Sequence, residues 1–188
     1  MKTFHAAMIA ATHSGAGKTT VMFSLEALAR NQGLTVQPFK GGPDYIDPGF
    51  HHQASGRRCR NLDLVLLSPQ AVKHSFARNS EAADLVLVEG MMGLYDGKNA
   101  SGEGSCAEIA KLLGLPVILV VDGSGLAASA AAVVLGFQQM DRDVCLCGVI
   151  FNRVNSEGHF SYLKNAVESK TGVPCLGFLP KDKSIQIP

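Results

Sequence analysis

Residues 6–19 read Ala6-Ala7-Met8-Ile9-Ala10-Ala11-Thr12-His13-Ser14-Gly15-Ala16-Gly17-Lys18-Thr19, an apolar run that breaks into a glycine-rich turn ending in Lys-Thr. Ala6 to Thr12 predicts a buried strand. Val21, Leu25, Leu28 and Ala29, at helical spacing between Lys18 and Gln32, predict an amphipathic helix after the turn. The turn matches the phosphate-binding pattern G-x-x-x-x-G-K-[ST] at every fixed position except the first, where Thr12 stands for Gly. A polyphosphate site needs strand, turn and helix in this order, because backbone N–H groups and the positive helix end together surround the anion. His13, Ser14, Gly15, Ala16, Gly17, Lys18, Thr19 and Thr20 are therefore the candidates for nucleotide binding. Gly15 and Gly17 can take positive φ, Lys18 places a charge on the β- and γ-phosphates, and Thr19 offers a hydroxyl to Mg2+. The competing reading is an ordinary glycine-rich turn before a lysine, and the agreement of all four features weighs against it.

Downstream the same alternation repeats. Gly33 closes the first helix, and Leu34 to Phe39 predicts a second strand. Lys40 to Pro48, with two glycines, two prolines and two aspartates, reads as a loop at a strand end. A helix is expected from about Ser68 to Ala77, capped by Ser68-Pro69, and a strand from Asp84 to Val88. Glu89 to Gly104 reads as loop and Ser105 to Leu113 as a short helix. Strand Pro116–Val121, helix Leu126–Met140, strand Val144–Phe151, helix Ser156–Thr171 and strand Cys175–Phe178 complete the series. Strand and helix in alternation give right-handed βαβ units. The expected fold is α/β, doubly wound and P-loop NTPase-like, one domain with a mainly parallel sheet and helices on both faces.

Composition narrows the function. The 188 residues are 46% hydrophobic and 18% charged, enough apolar material for a sizeable core. Apolar runs stay shorter than the roughly 20 residues that span a bilayer, and the start at Met1-Lys2-Thr3-Phe4-His5 lacks a secretory leader's continuous apolar region. A cytoplasmic protein without a membrane role is expected. The net charge of +1, with no basic cluster denser than Arg57-Arg58-Cys59-Arg60, speaks against nucleic acid and for a small ligand. Five cysteines without a C-x-x-C pair fit reduced thiols. Cys145 and Cys147, flanking Leu146 in a strand-like run, read as two small buried side chains on one face rather than a soft-metal pair.

Acidic residues at strand ends add the second half of a site. Mg2+ takes hard oxygen ligands, often one or two from protein. Glu89, directly after Leu85-Val86-Leu87-Val88, falls at the carboxyl edge beside the phosphate loop. Asp44 and Asp47 flank Tyr45 on the loop that Lys40 begins, suited to a further metal ligand or to an anionic substrate; a solvated turn capped by aspartates is the alternative. Asp122 sits at the same edge with a weaker claim. Asn152, followed by Arg153, offers an amide for a purine edge or else a turn cap.

Thr12 to Thr20 (THSGAGKTT), Gln37 to Asp47 (QPFKGGPDYID), Val88 to Gly97 (VEGMMGLYDG), Pro116 to Gly123 (PVILVVDG) and Gly148 to Asn155 (GVIFNRVN) resemble the cobyrinate and hydrogenobyrinate a,c-diamide synthase family. The resemblance covers nearly the whole chain. It implies a dethiobiotin-synthetase-like domain that uses ATP and Mg2+ to amidate the a and c acetates of a corrinoid through an acyl phosphate. Ammonia would come from glutamine, released by a glutaminase domain that follows in family members. The resemblance makes Thr19, Asp44 and Glu89 metal ligands and sets Asn152 against adenine. Lys40, Tyr45 and Asp47 would face the substrate carboxylate, with Tyr95 and Asp96 as further candidates. Lys18 and Mg2+ would stabilise charge during transfer.

The expected partners are the corrinoid and the glutaminase domain, and a homodimer is left open. Lys181 to Pro188 reads as a polar tail, and the resemblance makes Ile187-Pro188 the start of the connection to that domain; a natural tail is the alternative. Another ligase of this fold, cobyric acid synthase or dethiobiotin synthetase, would share the phosphate loop and Glu89 but differ around Tyr45 and Tyr95. A partition-type ATPase would carry a second lysine where His13 stands.

Overall fold

The computed structural model describes residues 5–182 and 184. In chain order the elements are β1 (His5–Ala11), α1 (Lys18–Asn31), β2 (Val36–Gly41), α2 (Asp47–Ser55), β3 (Arg60–Leu62), α3 (Pro69–Ser80) and β4 (Leu85–Glu89). They continue with α4 (Cys106–Leu113), β5 (Val117–Asp122), α5 (Ser129–Met140), β6 (Leu146–Val154), α6 (Glu157–Thr171) and β7 (Cys175–Pro180). The strands form one parallel sheet in the order β3-β2-β4-β1-β5-β6-β7.

Side-chain alternation along each strand divides the core in two. Met8, Ala10, Phe39, Val86, Val88, Leu119, Val121, Val149 and Phe151 pack beneath α3 to α6. Ile9, Ala11, Val36, Leu87 and Val120 face α1, whose Val21, Met22 and Ala29 cover them. Beside α1, α2 packs on β2. This is the doubly wound architecture the sequence predicts. Among the described residues no helix is long and apolar enough to cross a membrane.

Several boundaries differ from expectation. Lys40 to Pro48 is not one loop: β2 continues through Lys40 to Gly41, and Asp47-Pro48 already form the first turn of α2. Proline is tolerated there because a first-turn N–H has no helical partner. The sequence reading has no counterpart for α2 or β3. The first holds proline, glycine and two adjacent histidines in nine residues, and the second is a three-residue edge strand. Glu89 and Asp122 end their strands rather than follow them, and Asn152 and Arg153 lie inside β6.

The two cysteines do not behave as a buried pair, since Cys145 is exposed and Cys147 half-buried. β6 begins at Leu146, and Val117 and Ile118 pair with Leu146 and Gly148, so Cys147 is an extra residue that breaks the alternation. The readings of Met1 to Phe4 and of Ile187-Pro188 as the start of a connection lie outside the described residues.

Phe151, fully buried on the α3 to α6 face, should be a sensitive core position. Phe151→Ala is expected to cost about 3–5 kcal/mol in equilibrium urea unfolding, whereas truncating the half-exposed Leu28 should cost under about 1 kcal/mol.

Candidate functional site

From β1 the chain passes over β4 to reach β2, and from β4 it crosses β1 to reach β5, so the winding reverses between β4 and β1. Ligands of open parallel sheets bind at the carboxyl ends of strands flanking such a reversal. A pocket of about 650 Å³ opens there, lined by Ser14, Gly15, Gly17, Lys18, Thr19 and Thr20 from the phosphate loop. Lys40, Asp44, Asp47, Glu89, Met91, Met92 and Arg153 complete it.

Gly17 caps α1 with φ 98° and ψ 29°, a left-handed conformation. A Cβ there would lie 1.9 Å from Nδ2 of Asn152, which donates a hydrogen bond to the Ala16 carbonyl at 3.0 Å. The buried amide of Asn152 thus fills the space beneath the loop that glycine leaves. On the flank, Arg153 donates to the Gly15 carbonyl at 3.0 Å and pairs with Asp122 at 2.5 Å. Arg153 itself has φ 58°, uncommon for a residue with a Cβ.

Lys18, buried, donates to the Met92 carbonyl at 2.6 Å, and Met92 also has a positive φ, 49°. Burial lowers the Lys18 pKa despite the opposing charge of Glu89. The Thr19 hydroxyl donates to Oε1 of Glu89 at 2.7 Å. Lys40 Nζ lies 3.1 Å from the same oxygen, 2.5 Å from Asp47 and 3.5 Å from Asp44. Burial would lower the Lys40 pKa, but Glu89 and Asp47 outweigh it and raise it. Burial likewise opposes ionisation of Glu89, yet the hydrogen bond from His51 and the charges of Lys40 and His51 bring its pKa below the ordinary value.

Behind Glu89 is a layer the sequence reading did not find. His51 of α2 places Nε2 2.6 Å from Oε2 of Glu89 and Nδ1 3.0 Å from Oε1 of Glu26 on α1. All three residues are 0% exposed. Burial lowers the His51 pKa, but the carboxylates at its two nitrogens prevail and hold it up to about 9. One signal for this layer was available: Glu26 shares the buried stripe of α1 with Lys18, Met22 and Ala29, where an acid is out of place.

The remaining candidates are dispersed. His13 is exposed, bonded to Thr12 at 2.9 Å, and faces a different hollow beside Asp122 and Val133. Ala16 is buried and contributes backbone. Asp44 accepts from the Ile46 and Asp47 amides in the turn before α2 and meets Glu89 only through Lys40. Tyr45 is 89% exposed beside the pocket. Tyr95, a further candidate, donates its hydroxyl to the Phe137 carbonyl at 2.7 Å, and Asp96 accepts from the Gly93 amide. Their sequence position resembles a site loop, but the chain turns both side chains back to brace it.

The arrangement suits a polyphosphate with a hard cation. No group of three or more His, Cys, Asp or Glu gathers as a metal cage among the described residues. Mg2+ needs only one or two protein oxygens, and the Thr19 hydroxyl and Glu89 carboxylate are such donors, already adjacent.

The sequence profile of the CobQ/CobB/MinD/ParA nucleotide binding domain matches residues 7–187. The chain belongs to this family. It is 49% identical over 177 residues to the cobyrinate a,c-diamide synthase of Archaeoglobus fulgidus, covering 94% of this chain and 39% of that protein. To the synthase of the same name from Salmonella typhimurium it is 45% identical, covering 98% and 40%. With the hydrogenobyrinate a,c-diamide synthase of Streptomyces coelicolor the identity is 48%, covering 96% and 37%. The chain thus spans about two fifths of the length of these curated relatives. In structure it is similar to chloroplast FtsY of Physcomitrella patens, with a TM-score of 0.65 at 18% identity over 93% of this chain and 58% of that one. That likeness shows the P-loop NTPase-like fold.

Three outcomes are expected from this geometry. Gly17→Ala, which combines left-handed strain with a clash against Asn152, should weaken ATP-analogue binding at least about tenfold in calorimetry. Gly15→Ala, with open space at its Cβ, should cost about 1 kcal/mol or less beyond backbone strain. Because the folded state raises the His51 pKa from 6.5 to about 9, His51 contributes stability that is whole below about pH 6.5 and lost as pH rises through about 9. Thermal melts across that window should fall more steeply for wild type than for His51→Gln.

Proposed function

We propose that this chain is the ATP-dependent synthetase domain of a cobyrinate a,c-diamide synthase. It would convert the a and c acetate carboxylates of the corrinoid to amides in cobalamin biosynthesis, in the cytoplasm. The similarity to the named synthases supports the substrate. The observation that carries the reaction is the position of Glu89, bonded to Thr19 of the phosphate loop and to Lys40 of β2 within one pocket.

A carboxylate resists amines because an oxide-like oxygen would have to leave. Phosphorylation removes the obstacle: a carboxylate oxygen attacks the γ-phosphorus of ATP, the bond to the β-phosphate oxygen breaks, and ADP departs. Nitrogen of ammonia then attacks the acyl carbon, phosphate leaves, and a proton is lost. Backbone amides of residues 14–19 hold the phosphates, and Lys18 exchanges the Met92 carbonyl for phosphate oxygens and offsets the charge of transfer.

The Thr19 hydroxyl and Glu89 would hold Mg2+, which neutralises phosphate charge when bound. Asp44, joined to Glu89 through Lys40, is a further ligand candidate. Lys40, paired with Asp47, keeps a positive charge near the entering carboxylate. With the phosphates of ATP in this pocket, an acetate arm would enter while the macrocycle rests outside, where Tyr45 stands exposed. The base of ATP would lie in the adjoining hollow of Thr20, Ser24, Asn152, Arg153, Leu179, Pro180 and Asp182, where Asn152 keeps a second amide hydrogen for adenine. Glutamine would be the ammonia source in the full-length protein, through a glutaminase domain.

With ATP, Mg2+, ammonium and cobyrinate, the chain is expected to give products whose mass falls by the difference between OH and NH2 at each amidation. Lys18→Ala and Glu89→Ala should each slow the reaction at least about a hundredfold, since each removes a charge contact made in the transition state. Amidation by either variant at the wild-type rate would contradict these roles.

A further inference from the structure

The carboxylate of Glu89 is divided between two tasks. Its Oε1 faces the phosphate loop, 2.7 Å from the Thr19 hydroxyl, while its Oε2 turns inward to His51 at 2.6 Å. A glutamate side chain has three torsions and several rotamers, and contacts at both oxygens restrict which of them it can adopt. His51 is in turn held by its other nitrogen, 3.0 Å from Glu26, and by the ring of Phe23, edge-on at 4.9 Å. The Glu26 contact is close without being a hydrogen bond, and Nδ1 of His51 and both Glu26 oxygens lack a hydrogen-bond partner.

Burying these groups carries a desolvation penalty that an apolar filling of the same volume would avoid, so packing alone does not account for them. What they provide is direction. A ring with one nitrogen against each of two carboxyl groups can lock one oxygen of Glu89 and leave the other, which Thr19 and Lys40 also meet, on the pocket side, as a hydrogen-bonded partner behind a metal ligand does. The three residues come from α1, α2 and β4, and α1 also carries Lys18 and Thr19, so the same contacts hold the loop's lysine and threonine in register with Glu89.

We propose that His51, oriented by Glu26, is a positioning residue that aims Oε1 of Glu89 at the divalent-ion position beside Thr19. This rests on the reading of Glu89 as an ion ligand given above. The test is Mn2+ affinity in the presence of a non-hydrolysable ATP analogue, followed by electron paramagnetic resonance, beside analogue affinity in EDTA, for the chain and four variants whose folding is checked by circular dichroism.

Glu89→Ala tests the underlying reading: unchanged Mn2+ affinity would remove Glu89 as a ligand. Given a loss there, His51→Leu is expected to weaken Mn2+ about ten- to a hundredfold, with analogue affinity in EDTA kept within about twofold. His51→Gln, whose amide nitrogen can take the place of Nε2, should recover most of the Mn2+ affinity, and Glu26→Gln should fall between the two. Wild-type Mn2+ affinity in folded His51→Leu would overturn the proposal while sparing the Glu89 reading. Equal losses of Mn2+ and metal-free analogue binding would overturn it too, as a general structural effect. Should His51→Leu not fold, Glu26→Gln decides, and unchanged Mn2+ affinity there refutes the proposal.

Discussion

One carboxylate, that of Glu89, organises this molecule. It is a fully buried anion at the end of a central strand, a placement that costs several kcal/mol unless charge and hydrogen bonds surround it. Lys40, His51 and Thr19 provide them from three different elements. Strand parity decides which side they come from. Leu85, Leu87 and Glu89 alternate onto the face that α1 covers, and Lys40 is the direct register partner of Glu89 on β2. Shifting either strand by one residue would turn a charge into the opposite apolar layer.

The buried cations suggest how the proposed phosphate site would be kept ready. Lys18 and Lys40 both lie beneath the pocket, and their mutual repulsion is among the influences on Lys18. Glu89 and Asp47 tie Lys40 down, leaving Lys18 as the cation directed at the loop opening, where the Met92 carbonyl receives it. A polyphosphate offers stronger acceptors than one carbonyl, so on the function proposed above Lys18 would exchange a neutral hydrogen bond for charge-assisted ones.

Much of this was legible in the sequence, and what was missed has a common cause. Local patterns carried the strands, the large helices and the phosphate loop, because apolar period and glycine spacing are properties of contiguous residues. Glu89 was legible as the first acid after an apolar run. Glu26 and His51 were not singled out: each matters only through a partner far away in sequence, and α2 has too little apolar period to announce itself. Tyr95 and Asp96 show the converse. The resemblance offers them as further substrate candidates, and the structure shows Tyr95 bonded to the Phe137 carbonyl and Asp96 to the Gly93 amide, so both side chains hold the loop. Local motif reading gives the composition of a site, whereas the direction of each side chain depends on contacts that sequence spacing does not encode.

The phosphate loop shows why direction matters. Its backbone N–H groups can act on an anion only if the loop holds its shape before the anion arrives, since reorganising it would consume the binding energy. Asn152 fills the space under Gly17 and ties off the Ala16 carbonyl, and Arg153, anchored by Asp122, does the same for the Gly15 carbonyl. Two carbonyls that would repel a phosphate are thereby engaged from below and from the flank. Both braces come from the end of β6, two strands from the loop, and Asp122 and Asn152 are register partners. Parity again sets the arrangement: Ile150 and Asn152 share the face of α1, and the positive φ of Arg153 brings its guanidinium back toward that face. The strain at Arg153 is thus tied to the loop it supports, as backbone strain near functional sites commonly is.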